Sequence, residues 1–428
     1  MKKRILVFSW YFPPINSSEG IVTYKLLNNS KYEYDVFTQS GNKAWSYTQS
    51  DTMKLNSNVH YIDSGTKLFN PFLEKGIEYY KKNIDKYDIV MTRAMAEVSH
   101  MIGLEIKKIN PSITWIASFG DPIAYNPYNL KINNHNNPYS ISQRYVRHMS
   151  LKEIFSLKRI IKSILYERNY KLSYKKYVEP NEILQKDTLN YADYIIYNSA
   201  YQRDFMLSYY PNKEELDKKS IILPHSFDEK LYSKNIVKNS NNNKINFSFV
   251  GHLDDIRSPH NLFVALKKLK DYDVNLCDKV EFNFYGNVPN SEKIYLIDND
   301  LLDIIRLRKP VDYLESLKIM QKADWLVHID ANIADVCEKN IFFAAKIADY
   351  MGTKNRIMGI TMIDGISADI LRNYNALVLE LCSEEIFVYL YKIIYEGYDK
   401  KPNTNCLDEY NVKTVAKKFD SLVSKIRK

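Results

Sequence analysis

Short apolar runs alternate with amphipathic segments along most of this chain. The runs are rich in Val, Ile, Phe and Tyr, and turn residues and then apolar positions at helical spacing follow many of them. They predict strands at 5–8, 32–38, 87–93, 114–119, 191–199, 218–228, 280–287, 325–329 and 356–361, with a further strand beginning at Ile245. Strands that alternate with helices in this way predict open parallel sheets of the α/β class.

The stretch 323–361 shows this alternation most completely. A strand at 325–329, a polar loop, a helix that includes Ile341 and a second strand follow one another. Lys346 and Asp349 interrupt the apolar face of that helix and lie three positions apart, so they share one side of it. In an open α/β sheet, ligands bind beyond the carboxyl ends of the strands, near this helix. The two residues are therefore either part of a binding site or a surface ion pair.

Chain length and one linker-like stretch predict two domains. A chain of 428 residues is longer than the roughly 250–300 residues at which a single core stops growing. The Asn- and Lys-rich run at 229–244 is poor in core-forming residues and separates two strand-rich halves. We expect Rossmann-like domains at 1–228 and 245–405 that face each other across a cleft. The last helix, within 406–428, is expected to pack back on the first domain.

Composition excludes several other classes of protein. Hydrophobic residues make up 45% and charged residues 26%, and no apolar run approaches the ~20 residues that span a bilayer, which predicts a soluble globular protein. The basic start resembles a signal peptide, but its apolar run is short and Pro13-Pro14 follows it, which favours a first strand. The four cysteines show no paired spacing and so predict neither a zinc site nor a disulfide framework. A cytoplasmic location fits.

Most of the net charge of +9 lies in one segment. Residues 144–176 hold ten Lys or Arg against Glu153 and Glu167, which gives +8 and leaves 50 minus 49, or +1, for the rest of the chain. Apolar residues interleave with these cations, so the segment is predicted to be a basic amphipathic helix or helix pair. Such a surface fits an anionic membrane at the inner face of the cell membrane. A nucleic-acid partner is not favoured because no recognition motif accompanies the charge, and a solvated helix face is the remaining alternative.

Flexible or acidic residues follow three of the predicted strands. Gly20 and Gly251 each lie between a predicted strand and a predicted helix, where a glycine lets a phosphate or a sugar approach the backbone. Asp121 lies at the carboxyl end of the strand 114–119, where binding residues occur. An Asp before Pro122 is also a common turn residue, so Asp121 has two interpretations.

Four stretches together resemble one family of enzymes. They are WYFPPINSSEGI, WIASFGDPIAYNPY, LPHSFDEKLY leading into FSFVGHLDDIRSPHNLFVAL, and KIADYMGTKNRIMGI. In order and spacing, from Ile5 to about Leu379, the chain resembles the family-4-like retaining glycosyltransferases of the GT-B fold, especially bacterial surface-polysaccharide enzymes. The resemblance implies that the first domain binds a glycan or lipid-linked acceptor and the second binds a nucleotide-diphosphate sugar, with transfer in the cleft.

The resemblance also implies roles for basic residues of the second domain. The family has a Gly-Arg pair and then a Lys six residues past the Gly, and both cations hold the diphosphate. Here Gly251 is followed by His252, Arg257 stands at the sixth position, and Lys346 looks like a replacement cation. Arg257 and Lys346 are thus the expected catalytic cations, and no cofactor and no metal are expected.

Acidic residues complete the expected site. The family pairs two Glu separated by seven residues, and the second binds the ribose. Alignment through the tripeptide YMG gives the second place to Asp349, whereas the first falls on Ile341 and the nearest acid is Glu338. In the first domain, the family's Gly-Gly pair corresponds to Glu19-Gly20, and Asp121 is the expected catalytic residue at the cleft.

Other functions fit the same architecture. A nucleotide-sugar epimerase would share the two domains, and a catalytically degenerate subunit bound to a partner glycosyltransferase would account for the incomplete acid pair. The stretch Asp298-Asn299-Asp300 has the Asp-x-Asp spacing of a metal site in a different sugar-transferase fold but lacks the context of that fold.

Overall fold

The computed structural model describes residues 3–15, 17–40, 53–94, 96–135, 179–234, 236 and 244–426, without the side chains of 132–135. The basic segment 144–176, with its predicted helices and membrane surface, lies outside the described residues.

The first domain is built on a parallel sheet whose described strands follow the order β3-β2-β1-β4-β5-β6-β7. The strand β1 lies in the middle, and its Ile5 pairs with Tyr34 on one side and Ile89 on the other. A central strand that is covered on both faces is apolar throughout, which explains the ILVF run. The strands are β1 (Arg4–Ser9), β2 (Glu33–Thr38), β3 (Val59–Asp63), β4 (Ile89–Ala94), β5 (Thr114–Phe119), β6 (Tyr194–Tyr197) and β7 (Ser220–Ile222).

Helices cover this sheet and connect its strands. The first begins one residue after Ser17, whose side chain accepts a hydrogen bond from the backbone N–H of Gly20 (3.0 Å) and so caps the helix. Gly20 is therefore part of the first helical turn, whereas the sequence pattern predicts it in the preceding loop. The helices are α1 (Ser18–Asn29), α2 (Phe69–Lys82), α3 (Val98–Ile109), α4 (Pro127–His135), α5 (Glu179–Tyr191), α6 (Ala200–Leu207) and α7 (Lys213–Lys218).

The second domain repeats the architecture with the strand order β10-β9-β8-β11-β12-β13, again parallel. Its strands are β8 (Ile245–Val250), β9 (Val280–Tyr285), β10 (Ile305–Arg308), β11 (Trp325–Ile329), β12 (Arg356–Ile360) and β13 (Leu377–Leu379). Its helices are α8 (His260–Tyr272), α9 (Asn290–Asp298), α10 (Tyr313–Lys322), α11 (Ala345–Gly352), α12 (Ile366–Asn373), α13 (Ser383–Tyr395) and α14 (Leu407–Tyr410). The predicted fold class, two Rossmann-like α/β domains, is confirmed.

The chain then returns to the first domain. The last helix, α15 (Val412–Lys425), packs its Phe419 and Val423 against Tyr24 and Leu27 of α1. At the crossing, Phe227 exchanges backbone hydrogen bonds with the second-domain end of the chain, donating to Tyr410 and accepting from Val412. None of the described helices is long and apolar enough to cross a membrane.

The helix within the stretch 323–361 starts later than the sequence pattern predicts. Ile341 lies outside any helix, and α11 begins at Ala345. The reason is Asn340, which forms a bridge to Gly365 and whose side-chain oxygen accepts the backbone N–H of Phe342 (3.0 Å). These bonds keep the segment before Ala345 out of the helix despite its apolar spacing.

Candidate functional site

Loops from the carboxyl ends of both sheets meet between the domains. Two glycines of the second domain leave the backbone there without side chains. Gly251 follows β8 with φ 143° and Gly286 follows β9 with φ 142°, a conformation that other residues rarely adopt. A Cβ on Gly286 would lie 1.8 Å from the carbonyl oxygen of Gly251, and a Cβ on Gly251 would lie 2.8 Å from Lys346 Nζ. Both positions therefore require glycine, and the ammonium of Lys346 lies directly against the backbone of Gly251.

Lys346 is a buried cation without a hydrogen-bond partner among the described residues. Its Nζ is enclosed and lies 4.2 Å from the centre of the Phe249 ring. Burial, and then the positive charge of Arg257, lower the pKa of Lys346 to about 7, while Asp330 opposes this shift. A buried ammonium in such a site is costly unless a counter-ion accompanies it. An anion bound here would supply the missing partner.

Arg257 lies at the end of a tight turn that Asp254 stabilises. The Oδ1 atom of Asp254 accepts hydrogen bonds from the backbone N–H groups of Ile256 (3.0 Å) and Arg257 (2.8 Å). Burial raises the pKa of Asp254, but the hydroxyl of Tyr128 and these two N–H groups outweigh it, and the net pKa is lowered. The Nε of Arg257 is buried and has no hydrogen-bond partner among the described residues. Arg257 therefore adds a second incompletely satisfied donor near Lys346.

Asp121 lies on the first-domain side, beside a buried ion pair. Arg93 Nε is 2.5 Å from Glu19 Oε1, and a further guanidinium N–H of Arg93 donates to Ser118 Oγ (2.8 Å). Burial, and then the negative charge of Glu19, raise the pKa of Asp121 to about 6, while Arg93 and Arg257 oppose the shift. Asp121 is thus a carboxyl group with a raised pKa that lies within electrostatic range of Arg257.

Side-chain amides hold the backbone around Asp121. The carbonyl oxygen of Gly120 accepts hydrogen bonds from Asn198 Nδ2 (2.8 Å) and Gln202 Nε2 (3.0 Å). On the other side, Gln185 Oε1 accepts the backbone N–H groups of residues 123 and 124, both at 2.9 Å. Because the loop is held on both sides, the position of Asp121 is set by its surroundings.

Asp349 points towards the first domain and not towards Lys346. It is 4% exposed, and its Oδ1 lies 2.9 Å from Lys25 Nζ of α1 and 3.0 Å from the hydroxyl of Tyr313. Burial raises the pKa of Asp349, against the opposing effect of Lys25. The hypothesis of a surface ion pair between Lys346 and Asp349 is therefore wrong, since both charged groups are buried and each has different neighbours.

The other predicted site residues lie nearer the surface or inside an element. His252 and Glu338 are exposed, in the loops that follow β8 and β11. Gly20 lies in α1, where a Cβ on it would lie 3.1 Å from the Cα of Phe12. The structure thus brings together Gly251, Arg257, Lys346 and Asp121, with Asp349 behind them between the domains.

A buried His–Asp pair in the second domain was missed by the sequence analysis. His328 on β11 has Nε2 3.0 Å from Asp330 Oδ1, without the alignment of a hydrogen bond. The Oδ2 of Asp330 accepts hydrogen bonds from Asn340 (2.9 Å) and Thr361 (2.8 Å). Although burial alone would raise it, the pKa of Asp330 is lowered to about 2, chiefly by His328. The sequence signal for this pair is His328, a polar residue in an apolar strand. The Asp330 carboxylate is a nearby negative charge that stabilises the Lys346 ammonium.

A cavity of about 220 Å³ adjoins the turn that carries Arg257. It lies between α4 and the second domain, and both polar and apolar side chains line it. Lys131, Asp255, Ser258, His260 and Asn332 contribute to the lining, whereas Lys346 and Gly251 do not. Among the described residues, no group of three or more His, Cys, Asp or Glu side chains is placed to hold a metal ion.

Several solved structures share this architecture. Sucrose-phosphate synthase from Thermosynechococcus elongatus is similar over 99% of both chains, with 12% identity and a TM-score of 0.67. A lipopolysaccharide outer-core galactosyltransferase is similar over 99% of this chain and 100% of its own, with 11% identity and a TM-score of 0.56. A putative UDP-N-acetylglucosamine 2-epimerase from Listeria monocytogenes is similar over 100% and 98%, with 10% identity and a TM-score of 0.57.

The chain has the GT-B fold. At these identities the likeness shows the fold alone, and the three proteins carry different activities on it. A scan against protein families and a search of curated proteins find no match. Gly251, Arg257 and Lys346 lie close together beyond the carboxyl end of β8, and Arg257 is within electrostatic range of Asp121 in the first domain.

Proposed function

We propose that this protein is a glycosyltransferase of the hexosyltransferase type, which moves a sugar from a nucleoside-diphosphate sugar to an acceptor. The observation that carries the proposal is the buried ammonium of Lys346, which has no hydrogen-bond partner among the described residues. It lies against the backbone of Gly251, where no side chain intervenes. Arg257 contributes a second buried donor without a partner in the described part of the chain. Two cations beside an open backbone turn fit a diphosphate.

The same groups would promote the transfer step. When the bond between sugar and diphosphate breaks, negative charge increases on the leaving oxygen. Fixed cations in a site that excludes water stabilise this charge more strongly than water does. Because Arg257 and Lys346 supply the positive charge, we propose a reaction that needs no metal. Asp121 is proposed to contact the reacting sugars from the first domain, and retention of configuration is proposed from the family resemblance.

The acceptor is proposed to be a glycan or a lipid-linked sugar in the synthesis of a bacterial surface polysaccharide, such as a capsule. The sequence motifs resemble such enzymes, and one structural neighbour is named as a lipopolysaccharide galactosyltransferase. A lipid-linked acceptor would be presented at the cytoplasmic face of the membrane. The basic segment 144–176 is proposed to hold the enzyme there.

A donor screen tests the proposed function. Thermal shift with a panel of nucleotide sugars should identify a stabilising donor, and release of nucleoside diphosphate should then rise when a suitable acceptor is added. Matched samples of the Lys346→Ala variant should show a smaller shift and slower release. A purified protein that no nucleotide sugar or nucleoside diphosphate stabilises would contradict the proposal.

Two other functions remain testable alternatives. An epimerase is favoured by the Listeria monocytogenes neighbour, and it would convert one nucleotide sugar into another without any acceptor. A degenerate subunit is favoured by the use of Asp349 in a bond to Lys25, and it would show no turnover alone and would copurify with a partner in fixed proportion. Product analysis of the donor screen separates all three.

The affinity for a nucleoside diphosphate is expected to fall as the pH rises above 7. The pKa of Lys346 is lowered to about 7 in the ligand-free protein, and a bound anion raises it again. Above pH 7, binding must therefore take up a proton, and the Kd for UDP should rise up to about tenfold per pH unit. Calorimetric titration between about pH 7.5 and 9 avoids the phosphate pKa of ~6. The Lys346→Arg variant stays charged and should lose this dependence, whereas a pH-independent Kd in the wild type would rule out Lys346 as the proton acceptor.

Attachment to anionic membranes is expected to depend on the basic segment. It carries +8 of the net +9, and each cation near an anionic surface contributes about 1 kcal/mol. If half of the cations face the lipid, on the order of 4–5 kcal/mol results, which gives reversible binding that salt weakens. Sedimentation with anionic and neutral vesicles should show loss of binding when Lys158, Arg159, Lys162 and Arg168 are changed to Glu. Equal pelleting of both proteins with anionic vesicles would exclude this role.

A further inference from the structure

The turn that carries Arg257 is bonded to the first domain through one tyrosine. The hydroxyl of Tyr128, in the first turn of α4, donates to Asp254 Oδ2. The other oxygen of the same carboxylate accepts the backbone N–H groups of Ile256 and Arg257. Asp254 thus connects a first-domain side chain with the backbone of a proposed diphosphate ligand.

Further contacts fix the position of Tyr128. Its backbone N–H donates to Asn126 Oδ1 (3.0 Å), and its ring lies edge-on to Phe342 of the second domain, 6.5 Å between centroids. One helical turn later, Lys131 Nζ lies 2.7 Å from Asp335 Oδ1. The first part of α4 therefore contacts the second domain at three points, and one of them is the carboxylate that shapes the Arg257 turn.

We propose that Tyr128 and Asp254 are positioning residues, which hold Arg257 in its anion-binding place only when the first domain is docked. The proposal rests on the proposed function, because it assumes that Arg257 binds the donor diphosphate. Charge-assisted hydrogen bonds are stronger than neutral ones, so the hydroxyl of Tyr128 restrains the Asp254 carboxylate and, with it, the two N–H groups. Without that bond, the turn must become ordered when the ligand binds. The free-energy cost of this ordering lowers the affinity for the ligand.

A matched pair of variants tests this arrangement. Tyr128→Phe removes the hydroxyl and keeps the ring against Phe342. Tyr201→Phe removes another cross-domain bond, from the Tyr201 hydroxyl to Asp369 Oδ2 (2.5 Å), which does not involve the Arg257 turn. The Kd for inorganic pyrophosphate, measured by calorimetry, is expected to rise about three- to tenfold in Tyr128→Phe and to stay at the wild-type value in Tyr201→Phe. Thermal midpoints should be similar for the two variants.

Hydrogen exchange gives a readout that does not depend on any ligand. The peptide that contains Ile256 and Arg257 should exchange several times faster in Tyr128→Phe than in Tyr201→Phe or the wild type. Equal exchange in all three proteins, or equal acceleration in both variants, would overturn the positioning role. If the wild type binds neither pyrophosphate nor any nucleoside diphosphate, the proposed function fails, while the exchange result still decides whether Tyr128 orders the turn.

Discussion

Replacing Arg257 and Lys346 together by alanine is expected to weaken the binding of a nucleoside diphosphate by about 3–6 kcal/mol. Each single replacement removes one hydrogen bond between a cation and the diphosphate, worth roughly 1.5–3 kcal/mol. Both groups are buried donors that have no partner in the described ranges, so the ligand would gain bonds that the protein does not already make. Calorimetric titration of the three variants with UDP and GDP measures the effect.

An exposed lysine of the same domain provides the control. Lys293 lies on the surface of α9, where its side chain donates a hydrogen bond to Asn290 of the same helix, so Lys293→Ala should bind the nucleotide as the wild type does. Unchanged affinity in both Arg257→Ala and Lys346→Ala would remove these residues from the site. Loss of affinity in Lys293→Ala to the same degree would mean that general charge, and not a built site, attracts the nucleotide.

Replacing Lys25 by methionine is expected to lower the free energy of unfolding by about 3–5 kcal/mol, since removal of one partner leaves the other charge buried and unpaired. Lys25 is 0% exposed and bonds to Asp349 across the domain boundary. The double variant Lys25→Met/Asp349→Leu removes both charges and should recover most of the loss. Urea unfolding of the three proteins measures the differences.

The same substitution on the surface calibrates that result. Lys82 and Glu78 form an ion pair one helical turn apart with side chains 70% and 60% exposed, and Lys82→Met should cost less than about 1 kcal/mol. If Lys25→Met costs no more than Lys82→Met, Asp349 is not committed to the domain interface. Its carboxylate would then be free to bind the ribose, as the family resemblance implies.

Buried parallel strands and the glycine turn were predictable because each rests on a local signal. The apolar runs at β1, β4 and β11 are continuous, as strands covered on both faces must be, and Gly251 directly follows the strand β8. Strands β3, β10 and β13 escaped notice because they are short or partly polar, as in VHYID and IRLR. Their pairing, and not their composition, makes them strands.

The contacts between the domains could not be derived from one sequence. Lys25 and Asp349 are 324 positions apart, and Tyr128 and Asp254 are 126 apart, so no periodicity connects them. Asp349 was correctly placed on a helix beside Lys346, but the partner that takes its carboxylate comes from α1. The orientation of a side chain within a shared helix depends on what packs against it, and that requires the tertiary structure.

A crystal structure with a nucleoside diphosphate bound tests the central claim most directly. We expect the diphosphate to lie against the backbone of Gly251, with Lys346 Nζ and the Arg257 guanidinium both within hydrogen-bond distance of its oxygens. The Lys346 ammonium, now against Gly251, should move aside to make room. A diphosphate bound in the cavity beside Ser258 and His260, with Lys346 still unpaired, would contradict the account.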